Sequence, residues 1–241
     1  MGTFAVLCTT FELELEYMKY YSVAIDGPSG AGKSTLARKM ASELGFLYVD
    51  TGAIYRTVAL KAQREGADPG SQEEVVPLLS DLDIRMAYGE DGLQHMYLGN
   101  EDVTEAIRVH AVSKCASQVA AIPEVRSFLL DYQRKLAREH NVVMDGRDIG
   151  TVVLPDAEVK IFLTASAEIR AKRRLLELEQ RGQQADYPTI LRDIEQRDEQ
   201  DRTRAIAPLR QAEDAVLVDT SYLTLEESLR AMLDIAKERL V

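Results

Sequence analysis

The sequence predicts an α/β fold, a doubly wound five-stranded parallel sheet with a helical lid and a small antiparallel β insertion. Three observations predict it. Five short apolar runs, Val23–Ile25, Phe46–Asp50, Asn141–Asp145, Val159–Leu163 and Ala215–Asp219, have the length and content of buried strands. Helix-like segments lie between them, and strand alternating with helix demands parallel pairing. A glycine-rich stretch, Gly27-Pro28-Ser29-Gly30-Ala31-Gly32-Lys33-Ser34-Thr35, joins the first run to the first helix, and such sheets bind ligands beyond the carboxyl ends of their strands.

That stretch fits the G-x-x-x-x-G-K-[ST] spacing of a P-loop, with the required strand before it and helix after it. Its glycines let successive backbone N–H groups turn toward phosphate oxygens. Lys33 supplies a movable positive charge at the β- and γ-phosphates, and the Ser34 hydroxyl is a Mg²⁺ ligand. The helix that follows, residues 33–44, points its positive end at the anion. Lys33 is expected to face solvent. The loop therefore binds a nucleoside triphosphate with Mg²⁺, without saying what is done with it.

The chain has 241 residues, 46% hydrophobic and 29% charged, enough to bury a sizeable core in a soluble globular protein. A net charge of −11 argues against a broad nucleic-acid surface while allowing a local basic pocket. Small-molecule partners are expected, in a monomer. Cys8 and Cys115 form no metal or redox spacing, which suits a reducing compartment. The first residues lack a basic n-region and run into Glu12, Glu14 and Glu16, so neither a signal peptide nor a membrane span fits. Val6 stands where a myristoylation signal needs Ser or Thr. A cytoplasmic location follows. Residues 1–20 read as an extension before the core, with Met18 as an alternative start. Phe11, Leu13, Leu15 and Tyr17 alternate with glutamates, so an edge strand fits the same segment.

The strand at 46–50 leads straight into a helix, bringing Asp50, Thr51, Tyr55 and Arg56 to the rim that carries the P-loop. Taken alone, Thr51 could equally be a cap and Arg56 a solvated residue. Residues 68–108 change character: Asp68-Pro69-Gly70-Ser71 breaks the helix, a short helix covers 73–79, and strands at 84–86 and 94–98 are bounded by turns at 89–92 and 99–100. His95 and His110 have no metal-ligand company and read as surface or packing residues. Helices at 112–120 and from Pro123 to 139 precede the third strand, after which Gly146-Arg147-Asp148 delivers charge to the same rim. Thr224 and Glu227 make a capping box for the last helix.

Between the last two strands lies an arginine-rich helical pair, the lid at about 165–205. Arg170, Arg173 and Arg174 share one helix face, which Gly182 ends; Arg197, Asp201 and Arg204 share another at i, i+4 and i+7. A charged face is also what a solvated, salt-bridged surface looks like. Beside a polyphosphate site, however, arginines that recur at 56, 147 and on both faces are what phosphoryl transfer needs.

The P-loop, Asp50-Thr-Gly-Ala-Ile-Tyr-Arg56, Ala116-Ser117-Gln118-Val119-Ala120 with Arg126, Asp145-Gly-Arg-Asp-Ile-Gly-Thr151 and Arg197-Asp-Glu-Gln-Asp-Arg-Thr-Arg204 together resemble the bacterial cytidylate kinases from about Tyr21 to the C-terminus. Thr51 departs from the serine often found there, and residues 1–17 have no counterpart. The resemblance implies a core of 21–67 and 109–241 with 68–108 inserted, and Mg²⁺-dependent transfer of the ATP γ-phosphate to CMP or dCMP. It implies Thr51, Tyr55, Arg56, Arg147 and Arg204 near the acceptor phosphate, Ser117, Arg126 and Asp148 reading cytosine, and Arg197 with Asp201 near the ribose. Arg170, Arg173 and Arg174 would lie over the ATP phosphates. The second pKa of a nucleoside monophosphate is about 6, so the attacking oxygen needs no general base. Two alternatives share the loop: a kinase for UMP, AMP or a sugar acid, and a nucleotide-operated switch with no acceptor.

Overall fold

The computed structural model describes residues 19–89, 93–180 and 182–240. The expected edge strand at 11–17, the alternative start at Met18 and turn residues 90–92 lie outside them. β1 (Ser22–Asp26) sits at the centre of an all-parallel sheet in the order β2 (Leu47–Asp50), β6 (Val142–Gly146), β1, β7 (Val159–Thr164), β8 (Val216–Asp219). The numbering gap between β2 and β6 is the insertion. A separate antiparallel sheet of β3 (Ile84–Tyr88), β4 (Gln94–Leu98) and β5 (Glu101–Asp102) forms it. The turn expected at 99–100 joins β4 to the two-residue β5 as an antiparallel hairpin, Leu98 opposite Glu101.

The apolar runs are strands because both of their faces are covered. Val23 and Ile25 of β1 and Val143 of β6 pack with α1 (Lys33–Leu44) and α8 (Leu225–Arg239) in one core. Ala24, Val142 and Met144 point the other way, into a core with α2 (Thr51–Arg64), α4 (His110–Val119) and α5 (Pro123–Glu139). The expected helix at 73–79 divides into α3 (Gln72–Val75) and a 3₁₀ turn, Val76–Leu79, carrying Pro77. Pro123 opens α5 and the Thr224–Glu227 capping box opens α8. After β7, α6 (Ala167–Gln180) and α7 (Tyr187–Thr203) form the antiparallel pair, with Gly182 left-handed after the first. Helix α7 stops at Thr203, so Arg204 is its C-cap rather than part of its face. No helix among the described residues is long and apolar enough to cross a membrane.

Gly27 ends β1 at a φ of 150°, hard against β7, where a Cβ would be driven into the Leu163 carbonyl oxygen. Gly27→Ala is therefore expected to cost at least about 2 kcal/mol and to weaken ATP binding. Thermal unfolding with and without ATP checks this; an unchanged melting temperature would show that the close approach is not needed.

Candidate active site

The P-loop, Arg56, Arg147 and Arg197 meet at the carboxyl ends of β1, β2 and β6. Lys33 is only 6% exposed, contrary to the expectation of a solvent-facing side chain, because its Nζ folds back to donate to the Pro28 carbonyl at 2.7 Å. Burial, and then the charge of Arg147, depress its pKa well below the usual lysine value. The Ser34 hydroxyl donates to Asp145 Oδ2 at 2.9 Å, and the Tyr48 hydroxyl to Oδ1 at 3.1 Å. Burial, followed by the charge of Asp50, raises the Asp145 pKa to about 6. A hydroxyl and an adjacent carboxylate at the first turn of α1 suit Mg²⁺, which takes one or two protein oxygens and completes its shell with phosphate and water. Among the described residues no group of three or more His, Cys, Asp or Glu forms a metal cage.

On the acceptor side, every arginine but one is held by a carboxylate. Arg56 Nη2 donates to Asp50 Oδ2 at 2.8 Å, and Arg147 Nε to Asp201 Oδ2 at 2.7 Å. Asp148 lies between Arg126 and Arg204, bonded to both. Arg197 is the exception: its Nε is buried with no partner among the described residues, as is Arg56 Nε. Burial, then repulsion from Arg147, lowers the Arg197 pKa to about 10. Asp201 is 6% exposed. Burial pulls its pKa upward, but the Arg147 and Arg197 charges and the Arg147 hydrogen bond outweigh this, and it ends below the usual value. The solvated-surface reading of the 197–204 face is thereby excluded.

Thr51 is buried and donates to the Asp145 carbonyl at 2.7 Å. The Tyr55 ring lies 5.8 Å from the Arg126 guanidinium. Arg126 and Asp148 come together as expected, and Arg126 also donates to the Ala120 carbonyl at 3.3 Å. Ser117 sits on α4 one turn before Ala120, half-buried, outside that hydrogen-bonded pair.

The three lid arginines do not act as one face. Arg170 is buried, bonded twice to Asp198 and once to the Ser29 carbonyl at 3.0 Å, so it braces the P-loop from behind. Arg173 donates to the Thr220 carbonyl at 2.6 Å, after β8. Arg174 pairs with Glu177 at the surface. A spacing of i, i+3 and i+4 spreads guanidinium groups over enough of the helix for each to find a different neighbour.

The cytidylate kinase family profile matches residues 23–238. The chain belongs to the cytidylate kinase family. It is 50% identical over 218 residues to the cytidylate kinase of Caldicellulosiruptor bescii, covering 90% of this chain and 96% of that one. It is 50% identical over 213 residues to the cytidylate kinase of Carboxydothermus hydrogenoformans, covering 88% and 96%. Among solved structures, an uncharacterised protein of Eubacterium ventriosum superposes with a TM-score of 0.52 at 13% identity, over 91% of this chain and 99% of that one, and this likeness concerns the fold alone.

Within this cytidylate kinase site, sequence reasoning passed over Asp26, Tyr48, Gln94, Asp145 and Asp198. The signal for two of them was present, since Asp26 and Asp145 close apolar strands just as Asp50 does. Asp26 is buried and accepts the Ile149 and Gly150 N–H groups at 2.7 and 2.8 Å. It thus ties the end of β1 to the π-helical turn Ile149–Val153 that follows Arg147 and Asp148. Burial raises its pKa to about 6 from the ordinary 3.8.

Between about pH 4 and 6 the folded protein therefore holds a proton at Asp26 that the unfolded chain has released. This group makes stability fall as pH rises through that window, by at most about 1.4 kcal/mol per pH unit, and its cost vanishes below it. Asp26→Asn is expected to flatten part of that slope. Urea midpoints measured from pH 4 to 7 check it, and an unaltered slope counts against the assignment.

Proposed function

We propose that this protein transfers the γ-phosphoryl group of ATP to CMP or dCMP, giving ADP and CDP or dCDP. The observation that carries the reading is the pair of buried Nε donors on Arg56 and Arg197 that have no partner among the described residues, in a basic cleft beside the P-loop. Buried donors without a partner are costly, and a ligand that accepts from them, a phosphate at Arg56 and a ribose hydroxyl at Arg197, removes that cost.

The loop N–H groups take the ATP phosphates, and Lys33 moves from the Pro28 carbonyl to the β- and γ-oxygens, where the phosphate charge favours its protonated form. Ser34, with Asp145 beside it, would hold Mg²⁺, which would supply neutralisation of the phosphate charge. Arg56, Arg147, Arg204 and Thr51 receive the acceptor phosphate, with Tyr55 packed behind. Arg197 and Asp201 take the ribose. Ser117, Arg126 and Asp148 read cytosine: the carboxylate accepts from an exocyclic amine, which UMP lacks. Arg170 keeps the P-loop in shape, and Arg173 and Arg174 reach the transferred group when α6 and α7 close over it. Catalysis rests on in-line positioning and charge neutralisation, with no side chain taking a proton.

A coupled ADP-release assay across monophosphates tests the reading. CMP and dCMP are expected to lead, with UMP lower in kcat/KM by at least about tenfold, since an unpaired buried polar group costs about 1–3 kcal/mol. Equal rates with AMP or UMP would redirect the assignment, and hydrolysis independent of any acceptor would replace it with a switch or ATPase.

Asp201→Ala leaves Arg147 unpaired and Arg197 without its neighbouring carboxylate. It is expected to lower kcat/KM for CMP by roughly ten- to several-hundredfold with the ATP KM nearly unchanged. Steady-state kinetics with each substrate varied separately decide this; equal damage on both sides would contradict it.

A further inference from the structure

β2 is an edge strand of the parallel sheet. The Leu47 N–H bonds toward the β6 side, to the Asn141 carbonyl, so the main-chain groups of Tyr48 and Asp50 face the open edge. Among the described residues no further strand covers them. Two side chains of the insertion do so instead. The Tyr88 hydroxyl donates to the Tyr48 carbonyl at 2.7 Å. Gln94 accepts the Asp50 N–H on its Oε1 at 2.7 Å and donates from Nε2 to the Asp50 carbonyl at 3.3 Å. Gln94 is 7% exposed and starts β4, whereas glutamine is a residue usually left in water.

Asp50, held on both main-chain groups by one amide, spends both carboxylate oxygens on α2. Oδ1 caps the helix by accepting the Ala53 N–H at 2.9 Å, and Oδ2 holds Arg56 at 2.8 Å. No other hydrogen bond fixes the direction of the Arg56 guanidinium among the described residues, and its Nε is the buried, free donor. We propose that Gln94 is a positioning residue for the acceptor site: it clamps the Asp50 main chain and thereby aims Arg56 at the CMP phosphate. This rests on the role given to Arg56 above. The insertion then contributes to phosphoryl transfer without touching a substrate, through one amide, one carboxylate and one guanidinium.

The test uses the full chain with Gln94→Met, which keeps length and packing and removes both hydrogen bonds, and Tyr88→Phe, which removes the other edge bond but has no link to Arg56. KM and kcat are measured for CMP and for ATP, each with the other saturating, alongside melting temperature. Gln94→Met is expected to raise the CMP KM by roughly tenfold with the ATP KM unchanged, because a guanidinium displaced by a fraction of an ångström loses a charge-assisted bond. Tyr88→Phe is expected to leave the CMP KM unchanged. In an Arg56→Ala background, Gln94→Met should add less than about twofold, since the two act in series.

An unchanged CMP KM in Gln94→Met, an equal effect from Tyr88→Phe, or a full effect persisting without Arg56 would each overturn the proposal. Arg56→Ala with a normal CMP KM would overturn the role of Arg56 and this inference with it, whereas a damaged Arg56→Ala beside an unharmed Gln94→Met removes only the inference. If Gln94→Met does not fold, Gln94→Glu keeps the acceptor oxygen and loses the donor. Its CMP KM should then rise by roughly threefold, again only when Arg56 is present; no rise overturns the proposal.

Discussion

Cations crowded into a low-dielectric cleft repel one another, and carboxylates placed between them are what allow this site to exist before any phosphate arrives. Arg56 rests on Asp50, Arg147 on Asp201, Arg170 on Asp198, and Arg126 and Arg204 share Asp148. Removing one member of such a pair leaves an uncompensated buried charge, which is far more damaging than the net worth of the pair suggests. The net charge of −11 and the basic pocket are thus compatible: the acidic excess is spread over the surface, and at the cleft acids serve as holders for the bases.

A second set of carboxylates, sharing only Asp50 with the first, stands at the carboxyl ends of the parallel strands. Asp26 and Asp50 are the last residues of β1 and β2, Asp145 is the last but one of β6, and the apolar side chains of these strands are covered on both faces. Each carboxylate then organises a loop: Asp26 the turn after Asp148, Asp50 the start of α2, and Asp145 the Ser34 hydroxyl of the P-loop. The acceptor and donor sides are joined through these three groups within one sheet. Gly146 belongs to the same arrangement, since a Cβ there would lie 2.6 Å from the Ile149 side chain and 2.7 Å from Thr51 Oγ1. Charge placement on this rim is a property of the strands, and the loops inherit it.

Motifs whose residues are neighbours in the chain were legible from the residues alone. The P-loop needs only glycine spacing, one lysine and one hydroxyl, so its position followed directly. The five strands followed from apolar runs, and the capping box from a local reciprocal bond. Residue roles that depend on distant partners did not follow in the same way. Lys33 is buried because its tail finds the Pro28 carbonyl, and the lid arginines separate because α6 packs at once against the P-loop, the β8 end and solvent. Gln94 carried no signal of its own, being the polar first residue of a short strand.

The sequence by itself determined the α/β class, the phosphate-binding loop, the helical arginine pair and, through five separated segments, the family. These are encoded in periodicity and short spacing, which need no knowledge of what packs against what. Only the tertiary structure decided which acid holds which base, that Arg56 and Arg197 keep buried donors free among the described residues, and that the insertion grips the β2 edge through Gln94 and Tyr88. The physical reason is separation along the chain: Arg147 meets Asp201 across 54 residues, Asp26 meets Gly150 across 124, and Asp50 meets Gln94 across 44. A hydrogen bond acts over about 3 Å whatever the distance in sequence, so its partners become known only when the sheet brings them together.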